Sequence, residues 1–515
     1  PYDLRLDSTD TAAKDAGDNL TFDSNIPIRD DGLGTKRAQG TDFDCGSNEL
    51  IQAVQEVFYA VGQNTTDHKT GTGTVTASGG VLTFSDPQTD SAMGVGDRVT
   101  YGSEPLAYLS EKVSSTQWEA TIATGAPIGD QGSPQTLTSI AHEFTSLSAA
   151  ESGAADASHL NSSNLQSLNV QLNLACYDDS GPDTTIVSVD TWTVDPVHFI
   201  KVFAPFDTLT QCNQSQRHTG EQGTGYRIHP STSGHILDIN ISFTVIEGLE
   251  LKLINAATSD ECIRLRGNAD PVLMDGCIIW TQQEVDQIDG VFASEAMFFE
   301  VRNCFIYGFF RAGIHIQNPD SAPAIILECD INNCTIFDNG GEDGTSKEEG
   351  GISVRAEDTA TRITLNIFNN ISLDNDLFVA QDYRVTDVGG PLGTVIWAGS
   401  TNIDSDSSLT GKGTGNARSN RTATADPSPP EGFFVIFINI GAGSENLKLQ
   451  QSGANDALDT ALSLDAFGFT NDILNTIRPQ GSGWDIGGHE LITGDFFGWE
   501  GYDMGFDIGY NTGYN

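Results

Sequence analysis

Two groups of side chains in this chain have the types and spacing for chemistry. In the first, the segments "CIRLRG" (262–267), "GIHIQN" (313–318) and "GISVRA" (351–356) align, so that Arg264, His315 and Ser353 share one column and Arg266, Gln317 and Arg355 the next. The chain holds 25 Lys and Arg against 71 Asp and Glu, so Arg264, Arg266, His315 and Arg355 on one face would suit an anionic glycan. An Arg or His could then carry the proton of a lyase or hydrolase reaction. The same residues also read as counterions for neighbouring acidic side chains, and that reading is preferred. Carboxylates are so abundant here that a spaced Asp/Glu pair says little about acid–base catalysis, and no calcium-dependent lyase signature is recognisable. The chain reads as a non-enzyme first.

The second group lies in acidic turns. "DDSGPD" (178–183) gathers Asp178, Asp179 and Asp183, "IDSDSS" (403–408) gathers Asp404 and Asp406, and "DNGGEDG" (338–344) is similar. Clustered carboxylate oxygens suit a hard cation such as a structural calcium ion. None of the three follows an EF-hand loop, and solvated turns are the competing reading. There is no CxxC pair and no Cys/His spacing suited to zinc, so no other cofactor is expected.

The elements that must position these residues are short and repeat. "IEGLEL" (246–251), "MDGCII" (274–279), "VRNCFI" (301–306), "INNCTI" (331–336) and "FNNISL" (368–373) place Gly248, Gly276, Asn303, Asn333 and Asn370 in one column, at spacings of 28, 27, 30 and 37 residues. Leu249, Cys277, Cys304, Cys334 and Ile371 form the next column. Between these rungs run the aligned segments of the Arg column, with "VFASEA" (291–296) as a less regular member. Their period-2 alternation puts Ile263, Leu265, Ile314, Ile316, Ile352 and Val354 on one buried face. Short alternating strands that recur every 20 to 40 residues or so cannot each bury their own apolar face, so they must stack. The predicted fold is all-β: a right-handed parallel β-helix, with Gly or Asn at corners that need a left-handed backbone. The stacked Cys read as small buried hydrophobes; a disulfide between adjacent coils is allowed by distance but less favoured.

The expected organisation runs in six parts. Residues 1–52 repeat a C-terminal motif, and 53–145 form a small antiparallel β domain with Gly-rich turns. Residues 146–400 are the solenoid, which a short helix or loop at 146–160 leads into. Residues 401–432 are a polar surface loop, 433–492 the last coils and a closing segment, and 493–515 a Gly/aromatic tail.

A formal charge of −46 argues against nucleic acid or an anionic membrane surface as a partner. No apolar run approaches the ~20 residues of a spanning helix, so membrane insertion is not expected. The chain starts at Pro1 without an initiator Met or a basic, apolar leader. This is read as the mark of an exported protein, extracellular or at the cell surface.

One repeat stands apart. "RAQGTDFDCGSNELI" (37–51) matches "RPQGSGWDIGGHELI" (478–492) without a gap, and "DLRLDSTDTAAKDAG" (3–17) parallels "NLKLQQSGANDALD" (446–459). These segments resemble the closing segment of secreted bacterial right-handed β-helix repeat proteins. That segment runs as a Leu-x-Leu strand, an Ala-Asp-Ala-Gly-like turn, an Arg-Pro and an Asp-Ile-Gly-Ala-type end. Arg478, Pro479, Asp485, Ile486, Gly487 and Glu490 keep the pattern, and Gly488 and His489 depart from it. The resemblance covers the ladder and the closing segments and implies the pectate-lyase-like solenoid fold; it says little about activity. A duplicated terminal piece suggests either tandem modules offset by 441 residues (Arg37 to Arg478) or docking on a neighbour. Head-to-tail contacts of that kind grow without closing. Leu4, Leu6, Arg37, Asp44, Glu49, Arg478, Trp484, Asp485 and Glu490 are therefore the expected assembly contacts. The function expected is an exported structural subunit of a filament or surface array, with the chain itself as its partner. The alternatives are a carbohydrate-active or carbohydrate-binding β-helix acting on anionic polysaccharide, and a virion tailspike or decoration protein.

Overall fold

The structure, a computed structural model, describes residues 54–492 apart from 103–105, 295–297, 319–325, 341–349, 357–361, 376–380, 386–393, 410–417, 419–420, 427–428, 430–433, 443, 453–454 and 466–469. The assembly candidates Leu4, Leu6, Arg37, Asp44 and Glu49, and the tail 493–515, lie outside these residues.

The chain forms a parallel β-helix with three long sheets and a small closed antiparallel barrel. The first sheet stacks nine strands, from Gln55–Val61 through Val170–Cys176, Ile200–Phe203, Thr244–Glu247, Val272–Asp275, Phe298–Arg302, Ile326–Asn332 and Arg362–Phe368 to Thr394–Ser400. The second runs from Arg227–Ile228 and Glu250–Leu253 through Ile278–Thr281, Phe305–Tyr307, Thr335–Phe337 and Ile371–Leu373 to Ile403–Asp404. The third carries the Arg column, from Val187–Val189 to Gln381–Val385. From Ile200–Phe203 to Gln381–Val385 each coil visits the three sheets in turn.

Registry makes the interior. In the first sheet Leu174, Val202, Ile246, Met274, Val301, Ile331 and Ile367 lie in one line. In the third, Ile263, Val291, Ile314, Ile352 and Tyr383 do the same. All of these side chains are buried, and each contributes about 1.5–3 kcal/mol by leaving water. The helix Leu147–Gly153 sets Leu147 and Ala150 against this core at its first coils. Ser146 caps it by accepting from the Ala149 N–H, which satisfies one orphan donor of the first turn.

From Thr244–Glu247 onward the corner between the first two sheets takes a left-handed residue in each coil. Gly248, Gly276, Asn303, Asn333, Asn369 and Thr401 fill it, with φ of 73, 61, 53, 52, 57 and 58°. The last rung of the sequence alignment therefore slips by one residue. Asn369 belongs in the corner column, and Asn370 follows Cys334, whose backbone N–H donates to the Asn370 side chain at 2.9 Å. Asn402 repeats this on Asn370 at 3.0 Å. Two adjacent Asn left the alignment ambiguous; only the backbone angle separates their jobs.

Two boundaries also move. Gln55–Val61 is the first rung of the solenoid, paired in parallel with Val170–Cys176, so the antiparallel domain is an insertion between two rungs. Its strands run from Thr74–Ser78 to Gln135–Ala141. Ile403–Asp404, inside the expected surface loop, is the last rung of the second sheet. Beyond it the chain makes no further coils among the described residues. Thr422–Thr424, Phe434–Asn439 and Asn446–Leu449 form a small mixed sheet of their own.

Seven cysteines are described, all buried and none bonded to another. Burial holds the Cys262, Cys304 and Cys329 thiols above their usual range, so the ladder is inert packing. A thiol reagent added to the native protein is expected to leave Cys176, Cys212, Cys262, Cys277, Cys304, Cys329 and Cys334 unmodified, and to label all seven after denaturation. Peptide mapping that found native labelling of the ladder would contradict this packing.

Candidate functional site

The second sheet is apolar on both faces. Ile279, Ile306 and Ile336 point into the solenoid, while Ile278, Trp280, Phe305, Tyr307, Phe337, Ile371, Leu373 and Ile403 belong to a separate buried cluster outside it. Such an outer face has to be covered. Its cover is the C-terminal closing segment. Val435, Phe437, Leu447, Leu449, Ala457, Ile473 and Ile486 pack onto that face. The segment thus lies along the flank of the solenoid and not over its end. Near the early coils it is held by Lys448 with Glu221 (2.7 Å) and by Gln222 with Glu445 (2.6 Å).

The motif that repeats in the sequence is the clasp of this cover. Arg478 is fully enclosed, and its guanidinium donates to the Asp485 carbonyl (2.8 Å), the Gly487 carbonyl (2.8 Å) and the Glu490 carboxylate (3.1 Å). Glu490 also accepts from the backbone N–H groups of Gln480 (2.8 Å) and Asp485 (2.9 Å). Asp485 accepts from Asp459 (2.6 Å) and Leu491 (2.7 Å). Asp472 closes the ring by accepting from the Leu474, Thr476 and Glu490 N–H groups. Trp484 lies under the Arg478 cation at 5.6 Å. His489, held neutral by burial at a pKa of about 3, accepts from the Leu449 N–H.

The clasp is seated on the solenoid by few but specific bonds. Gly487 N–H donates to the Asn369 carbonyl (2.7 Å), and Gly488 N–H to the Thr335 hydroxyl (3.2 Å). Asn369, the corner residue, uses its amide to hold both the N–H and the carbonyl of Leu462, at 2.9 and 2.7 Å. Gly487 has φ +96°, and a Cβ there would lie 2.6 Å from Ile371, so this position takes only glycine without strain. Arg478, Trp484, Asp485 and Glu490, expected as assembly contacts, are therefore buried inside their own chain.

Comparison with known proteins adds little to this. No family model and no curated protein matches the chain. Among solved structures, the crystal structure of pectate lyase Pel9A aligns over 67% of this chain and 91% of that one, at 10% identity and a TM-score of 0.31. A likeness of that size carries no inference about activity; the β-helix rests on its own strand registers.

The clasp does reveal how far the N-terminal repeat extends. At the same offset, Asp31, Leu33, Thr35, Arg37, Gln39, Gly40, Asp44, Gly46, Glu49 and Leu50 match Asp472, Leu474, Thr476, Arg478, Gln480, Gly481, Asp485, Gly487, Glu490 and Leu491. Asn475, left-handed at φ +65°, has Gly34 as its counterpart. Asp472 and Asn475 went unnoticed in the sequence because the match upstream of Arg478 is sparse; the Asp472 turn shows why those few positions are shared.

The Arg column is accounted for within the chain. Arg266 forks onto Asp238 of the preceding coil, with Nε–Oδ1 at 2.7 Å. Arg264 donates to His235 at 2.5 Å, and His235 contacts Glu261. His315 is buried, with Nδ1 3.2 Å from Asp289, a carboxylate that also pairs with Arg311. Arg355 lies in register with Gln317 on the same sheet, where it too has interactions. The acidic turns are similarly engaged. Asp178 pairs with Arg227 at 3.0 Å, and Asp183 accepts from the Leu147 and Thr185 N–H groups and the Tyr226 hydroxyl. Asp404 accepts from the Leu409 N–H and Asp406 from that of Ser408. Asp179 belongs to a histidine cluster described below.

The clasp should respond to pH. Burial pushes the Asp485 carboxyl up to about 7, with the Glu490 charge adding to the rise, and burial also pushes Asp382 in the upper coils up to about 7. Both lie above the unfolded value, so their contribution is complete below about pH 4 and is lost as pH rises through about 7. In between, each group costs ~1.4 kcal/mol per pH unit. Hydrogen exchange, corrected for intrinsic rates, is expected to show residues 457–491 better protected near pH 5 than near pH 8. Equal protection at both would exclude the protonated clasp.

Proposed function

We propose that this chain is an exported, non-catalytic structural protein, a repeating β-helical unit joined to its neighbours through the two copies of the clasp. The observation that carries the reading is that every side chain of the Arg478–Asp485–Glu490–Asp472 ring recurs at residues 31–49. The second-sheet face of this β-helix is already covered by the chain's own closing segment. The N-terminal copy carries the same side chains, so it is suited to exchange with the C-terminal copy on the equivalent face of a neighbouring β-helix, and an exchange repeated in one direction extends into a row. Full-length chain, the Arg37→Met variant and a chain lacking residues 1–52 would be compared by electron microscopy and sedimentation. End-to-end assemblies of the full chain alone are the expected result. Three samples that sediment alike as single chains would overturn the proposal.

One observation favours a second reading, carbohydrate binding without catalysis. On the outer face of the first sheet Phe199, Phe243 and Pro271 immediately precede rungs paired in register and Phe298 opens the next one, lining a groove of about 230 Å³. Rings spaced along successive coils offer apolar surface to sugar faces. Glycan-array binding that disappears in Phe243→Ala would support it, and an array without signal would remove it.

A further inference from the structure

The barrel meets the solenoid at a buried cluster that lies outside the clasp. His68 comes from the connection into the barrel, Asp97 from the turn before the strand Arg98–Tyr101, and His142 from the residue after the last barrel strand. Asp179 follows the solenoid strand Val170–Cys176. The Asp97 carboxylate lies 3.1 Å from His68 Nε2 and 2.6 Å from His142 Nδ1. These three donor atoms lie within 4.8 Å of one another. On its other edge, His142 Nε2 faces the Asp179 carboxylate at 3.4 Å. The side chains of Asp97 and His142 are 0% exposed, and those of Asp179 and His68 only 4% and 8%.

Several details suggest that the site is shaped around its imidazoles. His142 stacks on Tyr177 with ring centres 4.6 Å apart, and the Tyr177 hydroxyl is tied to the Val95 carbonyl at 2.7 Å. Gly62 leaves the room that His142 occupies, since a Cβ there would lie 2.4 Å from the imidazole and 2.8 Å from Asp179. Asp179 is itself fixed by the Asn64 N–H at 2.8 Å. Yet His142 Nε2 and Asp179 Oδ1 are buried without a hydrogen-bond partner. Buried polar atoms left so are costly.

We propose that His68 Nε2, His142 Nδ1 and an Asp97 oxygen form a binding site for a divalent transition metal of the zinc class. Two imidazoles and one carboxylate are borderline ligands that match zinc and not calcium, which takes six to eight or so oxygens. Asp179 then acts as the outer carboxylate that orients a ligating imidazole through its second nitrogen. Metal would replace the protons now shared between Asp97 and the two histidines, so uptake releases protons. Because the ligands come from both connections and from the barrel, with the solenoid supplying the orienting carboxylate, the ion would bolt the barrel to the first coils.

The test uses the full chain. Protein stripped with a chelator is exposed to zinc chloride, desalted and analysed for bound metal, and cobalt is substituted in parallel. The expected result is about one ion per chain, a raised thermal midpoint, and visible absorption of cobalt in a low-symmetry nitrogen and oxygen site. His68→Gln, at the most accessible ligand, should lose all three while keeping the far-ultraviolet circular dichroism of the parent. The chain carries other His–carboxylate pairs, so zinc retained equally by His68→Gln would assign the metal elsewhere and overturn the proposal. Parent protein that retains no zinc above a blank and shows no change in midpoint would overturn it as well.

Discussion

Replacing Arg478 by Met is expected to destabilise the closing segment by about 3–5 kcal/mol, the range for removing one partner of a buried ion pair. Arg478 is the cation enclosed with Glu490, Asp485 and Asp472, and it also satisfies the Asp485 and Gly487 carbonyls. Without it three carboxyl groups and two carbonyls stay buried with fewer partners. The least costly response is to lift the segment off the second sheet. Hydrogen exchange should then report lost protection in residues 457–491 and along Ile278–Thr281 and Phe305–Tyr307, with the third sheet unchanged. Newly exposed Phe305, Tyr307 and Phe337 should bind an apolar dye. Arg478→Lys should recover little, because an ammonium cannot fork onto three fixed acceptors. A variant with parental protection and parental thermal midpoint would show that the clasp contributes nothing.

The second large effect is expected at Asn369. Its backbone is left-handed at φ +57°, which an alanine adopts at a cost of roughly 1–2 kcal/mol. Its side chain also binds Asn333 at 3.0 Å, accepts from Thr401, and holds Leu462 twice. Asn369→Ala strands several of these buried groups at about 1–3 kcal/mol each, so a loss of about 3–5 kcal/mol follows. Asn369→Gly keeps the corner and removes only the bonds, so it separates strain from bonding. Asn333→Ala occupies the same column without touching the closing segment. Denaturant unfolding of the three variants should rank Asn369→Ala as the most damaged. Equal midpoints for Asn369→Ala and Asn333→Ala would mean that the corner matters and the joint to the closing segment does not.

Both positions show what a sequence can carry. The interior columns were legible because a strand with one buried face alternates, as Ile263, Arg264 and Leu265 do. The outer face of the second sheet was harder to see. In "CIIW" and "CFIY" alternation fails because both faces are covered, and an unbroken apolar run does not announce what covers it. The repeated Arg, Asp and Glu of the clasp were visible as a repeat. Their partners were not, since a spacing of twelve or so residues between Arg478 and Glu490 is the same whether the pair closes within a chain or between two. Asn369 and Asn370 differ only in backbone angle, which no pattern of residue types records. The His68–Asp97–His142 group was hidden for a simpler reason: a whole barrel separates its two histidines.

That separation has its own consequence. The chain leaves the solenoid after Val61 and comes back from the barrel at Phe144, where the Gly62 N–H donates to the Phe144 carbonyl at 2.9 Å, while the rungs on either side still pair from Gln55 with Val170 to Val61 with Cys176. Exit and return thus lie side by side, and the stack is continuous across them. To the solenoid the barrel is cargo on a socket. A different folded payload whose ends come equally close could be loaded there if it also replaced the packing of Val95 and Tyr108 on the first coils, so that varied heads could sit on an unvarying shaft.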